Sequence, residues 1–72
     1  MDDPRYPPPE RSWNLLRAAG WRVSLEPMPR RWRAAGSHPA SGRTSLAAGL
    51  TKAEALYKLC VTAGLDTTPL RL

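Results

Sequence analysis

Thr51-Lys52-Ala53-Glu54 constrains this chain more than any other stretch of it. The spacing is that of a capping box, in which the threonine hydroxyl accepts from the glutamate N–H and the glutamate carboxylate reaches back to the start of the helix. Leu50 stands just ahead, placed to staple onto Ala55. Behind the box, Ala53, Leu56, Tyr57, Cys60, Val61 and Ala63 recur at spacings of three and four, which predicts an apolar helical stripe. Gly64 ends that stripe and sets Leu65 to contact Cys60 across the cap. One helix is thereby placed near the C-terminal end, with a face that the preceding residues must bury.

Those residues carry a second helix and then a change of period. Glu10 to Ala19 (ERSWNLLRAA) has Glu10 at the positive end of the helix dipole, Arg17 at the negative end, and Trp13 and Leu16 on one face. Gly20 stops it, and Trp21 can fold back onto Leu16. From Trp21 to Glu26 the period is two, with Trp21, Val23 and Leu25 inward and Arg22, Ser24 and Glu26 outward. Pro27-Met28-Pro29 is expected to end this strand, because proline cannot donate to a ladder. Arg31 to His38 alternates next, with Trp32, Ala34 and Gly36 inward. After the turn residues His38 to Gly42, Arg43 to Ala48 continues with Thr44, Leu46 and Ala48 inward and Arg43, Ser45 and Ala47 outward. Short connections between three such segments predict an antiparallel meander. The expected fold is α+β: a two-layer α-β-β-β-α domain, three strands in one sheet and two helices on one face of it.

The domain is expected to occupy residues 10–65. Met1 to Pro9 (MDDPRYPPP) holds four of the eight prolines and reads as a flexible Pro-rich leader; a polyproline ligand anchored by Tyr6 is the alternative. Residues 66–72 form a C-terminal tail that Leu70 and Leu72 could dock.

With 72 residues, such a domain buries only about 60% of the surface its unfolded chain exposes, too little to enclose a cleft on all sides. One Cys and one His exclude a disulfide framework and a Cys/His metal cluster. Cys60 lies in the helical stripe and His38 in a turn, and neither has a catalytic neighbour in sequence. No phosphate loop, nucleophile elbow or paired-carboxylate motif occurs. The expectation is a protein that is not an enzyme and needs no cofactor or metal. The apolar runs are too short for a membrane span or a signal peptide, which implies the cytoplasm.

What is left for function is charge. Lys+Arg 11 against Asp+Glu 6 gives a net charge of +5, and nine of the eleven cations are arginines. Arg22, Arg31, Arg33 and Arg43 are all expected outward on the sheet, with Arg30 at its edge. Guanidinium forks among small hydroxyls suit phosphate oxygens, which they bind in a bidentate way; a solvated face from an Arg-rich composition is the plainer account. The three tryptophans serve a core that has no Phe to fill it, and Trp32, between Arg31 and Arg33, is the one expected at an interface.

Gly20-Trp21, Trp32 and the stretch Gly49 to Leu56 (GLTKAEAL) resemble the small phage and prophage proteins of ABA sandwich type, over roughly residues 13 to 65. In that family a helix ends at Gly-Trp, a short Trp-bearing meander follows, and a Thr-x-x-Glu-Ala helix closes the domain; no activity comes with the resemblance, only a phage or prophage setting. The junction at Thr51 is also similar to that of antitoxins of HicB type. The helix–meander–helix order is that of double-stranded-RNA-binding domains, whose basic cluster at the last helix is represented here by Lys52 alone.

Two readings of function follow. In one, a small regulatory or inhibitory protein holds a host or phage protein, acidic where it meets Arg22, Arg30, Arg31, Arg33 and Arg43, at the sheet face, a sheet edge or Trp32. A second copy of the chain, giving a homodimer, is a natural occupant of an edge. In the other, the Arg face binds nucleic acid through its phosphates.

Overall fold

A computed structural model describes residues 3–70. The order is α1 (Pro9–Ala18), β1 (Arg22–Met28), β2 (Arg31–His38), β3 (Arg43–Gly49) and α2 (Lys52–Thr62), followed by a short 3-10 turn at Thr68–Leu70. The strands form one antiparallel meander with β2 in the centre, and both helices lie against the same face of it. The α-β-β-β-α architecture read from the sequence is the one observed.

Both glycine stops work as the spacing predicts. Gly20 (φ +90°) donates to the Arg17 carbonyl and Trp21 to that of Leu16, each at 3.0 Å. Gly64 (φ +79°) and Leu65 repeat the pattern on Val61 and Cys60. Each pair of bonds is a complete Schellman motif, open to glycine because it needs a left-handed backbone.

The core gathers Leu16, Trp21, Ala34, Ala55, Leu56, Leu59, Cys60, Ala63 and Leu70. The stripe of α2 therefore runs through Leu59, while Val61, expected inward, is 55% exposed; Leu50, expected to staple, is 67% exposed. At the helix crossing α1 presents fully buried Ser12, a side chain small enough for the Cys60 thiol to reach the Ser12 carbonyl at 3.6 Å. Leu70 docks in the core, while Leu72 lies outside the described residues.

Two strand expectations need correcting. β1 does not end at Glu26: it runs on to Met28, with Pro27 paired to Trp32. An edge strand tolerates this, because every second N–H of an edge points away from the ladder and Pro27 stands where none is needed. The second correction is the face of β3. Ala34 pairs with Ala47, Gly36 with Ser45 and Trp32 with Gly49, so Arg43, Ser45, Ala47 and Gly49 face the helices, and Thr44, Leu46 and Ala48 face away. Leu46 is 63% exposed. The cause is the closeness of α2: a Cβ on Gly49 would stand 2.6 Å from Glu54 Cγ and 2.7 Å from the Ala55 nitrogen. Beneath that helix lie the strand's small residues Ser45, Ala47 and Gly49, while Arg43 reaches the Ala63 carbonyl at the helix's C-terminal end.

Candidate functional site

The face of the sheet turned away from the helices is uncovered by any described residue, and its composition follows from register. Across the strands lie the rows Arg22–Ser37–Thr44, Ser24–Ala35–Leu46 and Glu26–Arg33–Ala48, then Met28 beside Arg31. The first two rows are floored by short side chains, and they form a shallow open concavity of about 500 Å³, mainly apolar, rimmed by Arg22 and Leu46.

The register also redistributes the arginines. Arg22 and Arg31 both point outward but lie six rungs apart along the sheet, about 20 Å. Arg33 is outward and is ion-paired across the strands to Glu26. Arg43 is not on this face, contrary to expectation: its guanidinium turns to the helix side, donates to the Ala63 carbonyl at 3.1 Å and lies 5.7 Å from the Trp21 ring centre. A cation there meets the negative end of the α2 dipole, so Arg43 holds the fold together. The four-cation patch thus resolves into one isolated arginine, Arg22, and a basic hairpin end made of Arg30, Arg31 and the paired Arg33.

That hairpin end is locally unusual. A two-residue turn, Pro29-Arg30, joins β1 to β2, and Arg30 takes φ +67°. Proline followed by a positive φ is the signature of a type II turn, whose third position favours Gly or Asn. Arginine stands there instead, at a backbone cost of about 1 kcal/mol. The strain has no return in packing: Arg30 is exposed.

Trp32 points to the other side. It is half-buried, Lys52 Nζ lies 4.8 Å from its ring centre, and the two line a second hollow of about 380 Å³ with Asp3, Pro9, Leu50 and Thr51. Here the N-terminal segment enters, which sequence reading missed. Residues 3–8, expected as a flexible leader, lie on the start of α2. Asp3 is 8% exposed, takes Arg5 on both carboxylate oxygens at 3.1 Å and accepts from the Thr51 hydroxyl at 3.0 Å. The Arg5 guanidinium in particular holds the Asp3 carboxyl down at about 2. Tyr6 donates to Glu54 at 3.1 Å and packs on Tyr57 with ring centres 5.5 Å apart. The capping box forms with one change. Thr51 accepts from the Glu54 N–H at 3.1 Å, while the Glu54 carboxylate takes the N–H of Leu50 at 2.8 Å, one residue before the cap. Lys58 at 2.9 Å, with that N–H and the Tyr6 hydroxyl, lowers the pKa of Glu54. Every polar group of this cluster is engaged within the fold.

The nucleophile and base candidates are committed likewise. Burial pushes the Cys60 thiol up to about 11, so it stays protonated at neutral pH. His38 Nε2 lies 3.1 Å from the Ala19 carbonyl and Nδ1 lies 2.7 Å from the Ser41 hydroxyl, so both ring nitrogens are engaged within the fold. Among the described residues no group of His, Cys, Asp and Glu is arranged to hold a metal, and no helix is long and apolar enough to cross a membrane. Compared with known proteins, the chain matches no family model, no curated protein and no solved structure.

Proposed function

We propose that this is a binding protein of regulatory or inhibitory type, phage- or prophage-encoded and acting in the bacterial cytoplasm, that holds an acidic protein partner against the uncovered sheet face and its basic hairpin end. Arg30 carries the reading. A chain that keeps arginine where glycine would relax the backbone gives up stability to present a guanidinium at that tip, and strain of this kind concentrates at contact sites. Arg31 stands beside it, and the apolar concavity with Leu46 continues the surface inward. Cations beside apolar ground suit a protein partner better than a nucleic acid. The outward arginines are too dispersed to track a phosphate backbone, and among the described residues no aromatic stands on that face to stack a base.

Capture from bacterial lysate tests this, using the wild type, Arg30→Gly and the double variant Arg31→Ala/Arg33→Ala, each with and without nuclease. The expected result is one partner, recovered regardless of nuclease and lost from both variants, while Arg30→Gly folds at least as stably as the wild type. Equal recovery by all three proteins overturns the proposal. Recovery that nuclease abolishes, with steep loss between 50 and 200 mM salt, on the order expected for phosphate contacts, replaces it with the nucleic-acid reading.

A further inference from the structure

We infer that the open edge of β3 is a self-association edge, taking the β3 of a second copy of this chain in antiparallel pairing centred on Leu46. The inference goes beyond the partner surface above and does not depend on it.

The sheet has two edges, and they are treated differently. A two-residue turn closes on a hydrogen-bonded pair, here Met28 with Arg31, and the alternation that follows directs the N–H and C=O of Arg43, Ser45, Ala47 and Gly49 toward β2. Thr44, Leu46 and Ala48 therefore present theirs to the open side, where no described residue meets them. On β1 the corresponding open groups belong to Val23, Leu25 and Pro27, with Arg22 and Glu26 between and beside them. Proline and charge are the usual guards of an edge. β3 has neither from Thr44 to Ala48 (TSLAA), and its centre carries an outward leucine 63% exposed.

The sequence of that edge identifies the occupant. Antiparallel pairing about Leu46 sets Leu46 against its own copy, Thr44 against Ala48, Ser45 against Ala47 and Arg43 against Gly49. No charge meets a like charge, the longest side chain meets the residue with none, and three reciprocal pairs of edge groups bond. Arg30, in the turn between β1 and β2, and Arg31, at the start of β2, lie a strand away from β3 and fall toward opposite corners of the six-stranded sheet. For a chain of net charge +5, that is the arrangement that keeps the two copies' charges apart. The two Leu46 side chains cover each other at about 5 Å across the axis.

Sedimentation equilibrium over about 1 µM to 1 mM, on the full chain under reducing conditions, reads this directly. The wild type is expected to rise from 8.0 kDa toward twice that mass. Leu46→Lys and Leu46→Glu each place like charges across the axis and are expected to stay monomeric, while an equimolar mixture of the two dimerises at least tenfold more tightly than either alone. Because the side chain of residue 46 lies outside the core, circular dichroism should find both variants folded. Arg22→Ala/Glu26→Ala, on the other edge, leaves the dimer unchanged. A wild type that is monomeric throughout, a dimer that ignores both Leu46 variants, or one that the β1 variant breaks overturns the inference.

Discussion

β1 and β3 are the two outer strands of one sheet, equal in length at seven residues, yet their alternation has opposite meaning. On β1 the large apolar side chains, Val23 and Leu25, face the helices. On β3 the largest, Leu46, faces away, and Ser45, Ala47 and Gly49 face in. The difference comes from what lies above them. α2 begins three residues after β3 ends and presses so closely on Gly49 that even a Cβ has no room there; β1 lies under looser cover, where Val23 and Leu25 are only half-buried and pack against the margin of the core. Period two says that a strand has two faces, and the space left by the neighbouring helix decides which of them is the apolar one.

The largest expected effect tests that closeness. Gly49→Ala should cost roughly 2–3 kcal/mol, an overpacking penalty, because the new Cβ meets the first turn of α2, backbone included. Leu46→Ala, which removes three carbons from the same strand, should stay within about 0.5 kcal/mol as a surface change. Urea denaturation of both variants at a concentration that keeps the chain monomeric gives the comparison, and a larger loss for Leu46→Ala would reverse it. Next in size, Arg43→Ala should cost about 1 kcal/mol through its bond to the Ala63 carbonyl and its charge at the end of α2. Arg22→Ala on the open face of β1 should cost about none.

Much of this was legible in the sequence. Gly20 and Gly64, the Thr51 box and the large alternating residues of β1 are local signals, each a short-range device that works within a few residues of itself. The face of β3 was not legible, because Thr44, Ser45, Ala47 and Ala48 differ too little in size and polarity for alternation to choose, and the one discriminating residue, Leu46, points to the wrong side. The same slip moved Arg43 out of the candidate site. Arg22, Arg31 and Arg33 stand on the outer face as read, although the pairing of Arg33 with Glu26 follows only from register. The docking of Asp3 on Thr51 joins positions 48 residues apart, and nothing near Asp3 in the chain announces it.

Two smaller effects sharpen the contrast. Ser45 carries a buried hydroxyl with no hydrogen-bond partner among the described residues. Ser45→Ala should therefore stabilise the fold by about 0.5–1 kcal/mol, whereas Ser24→Ala, exposed on β1, should change nothing measurable. Acid should loosen the β3 end before the β1 end. The Asp3 carboxyl sits at about 2 against an ordinary 3.8, so the folded state binds fewer protons than the unfolded one in that interval. The stability it supplies is complete above the ordinary value and is lost as pH falls toward 2. Amide exchange at Thr51 to Glu54 should accelerate over that range, and Asp3→Asn should show the acceleration already at neutral pH.

The inverted face of β3 is the centre of this account, and a cysteine scan along the strand tests it most directly. Cys60 is buried with its thiol pushed up to about 11, so it stays silent toward a thiol reagent in the folded protein. Single cysteines at Thr44, Ser45, Leu46, Ala47 and Ala48, held dilute and reduced, then report their own exposure. Fast labelling is expected at 44, 46 and 48 and slow labelling at 45 and 47. The reverse, fast labelling at 45 and 47 with protection at 46, would contradict the inverted face.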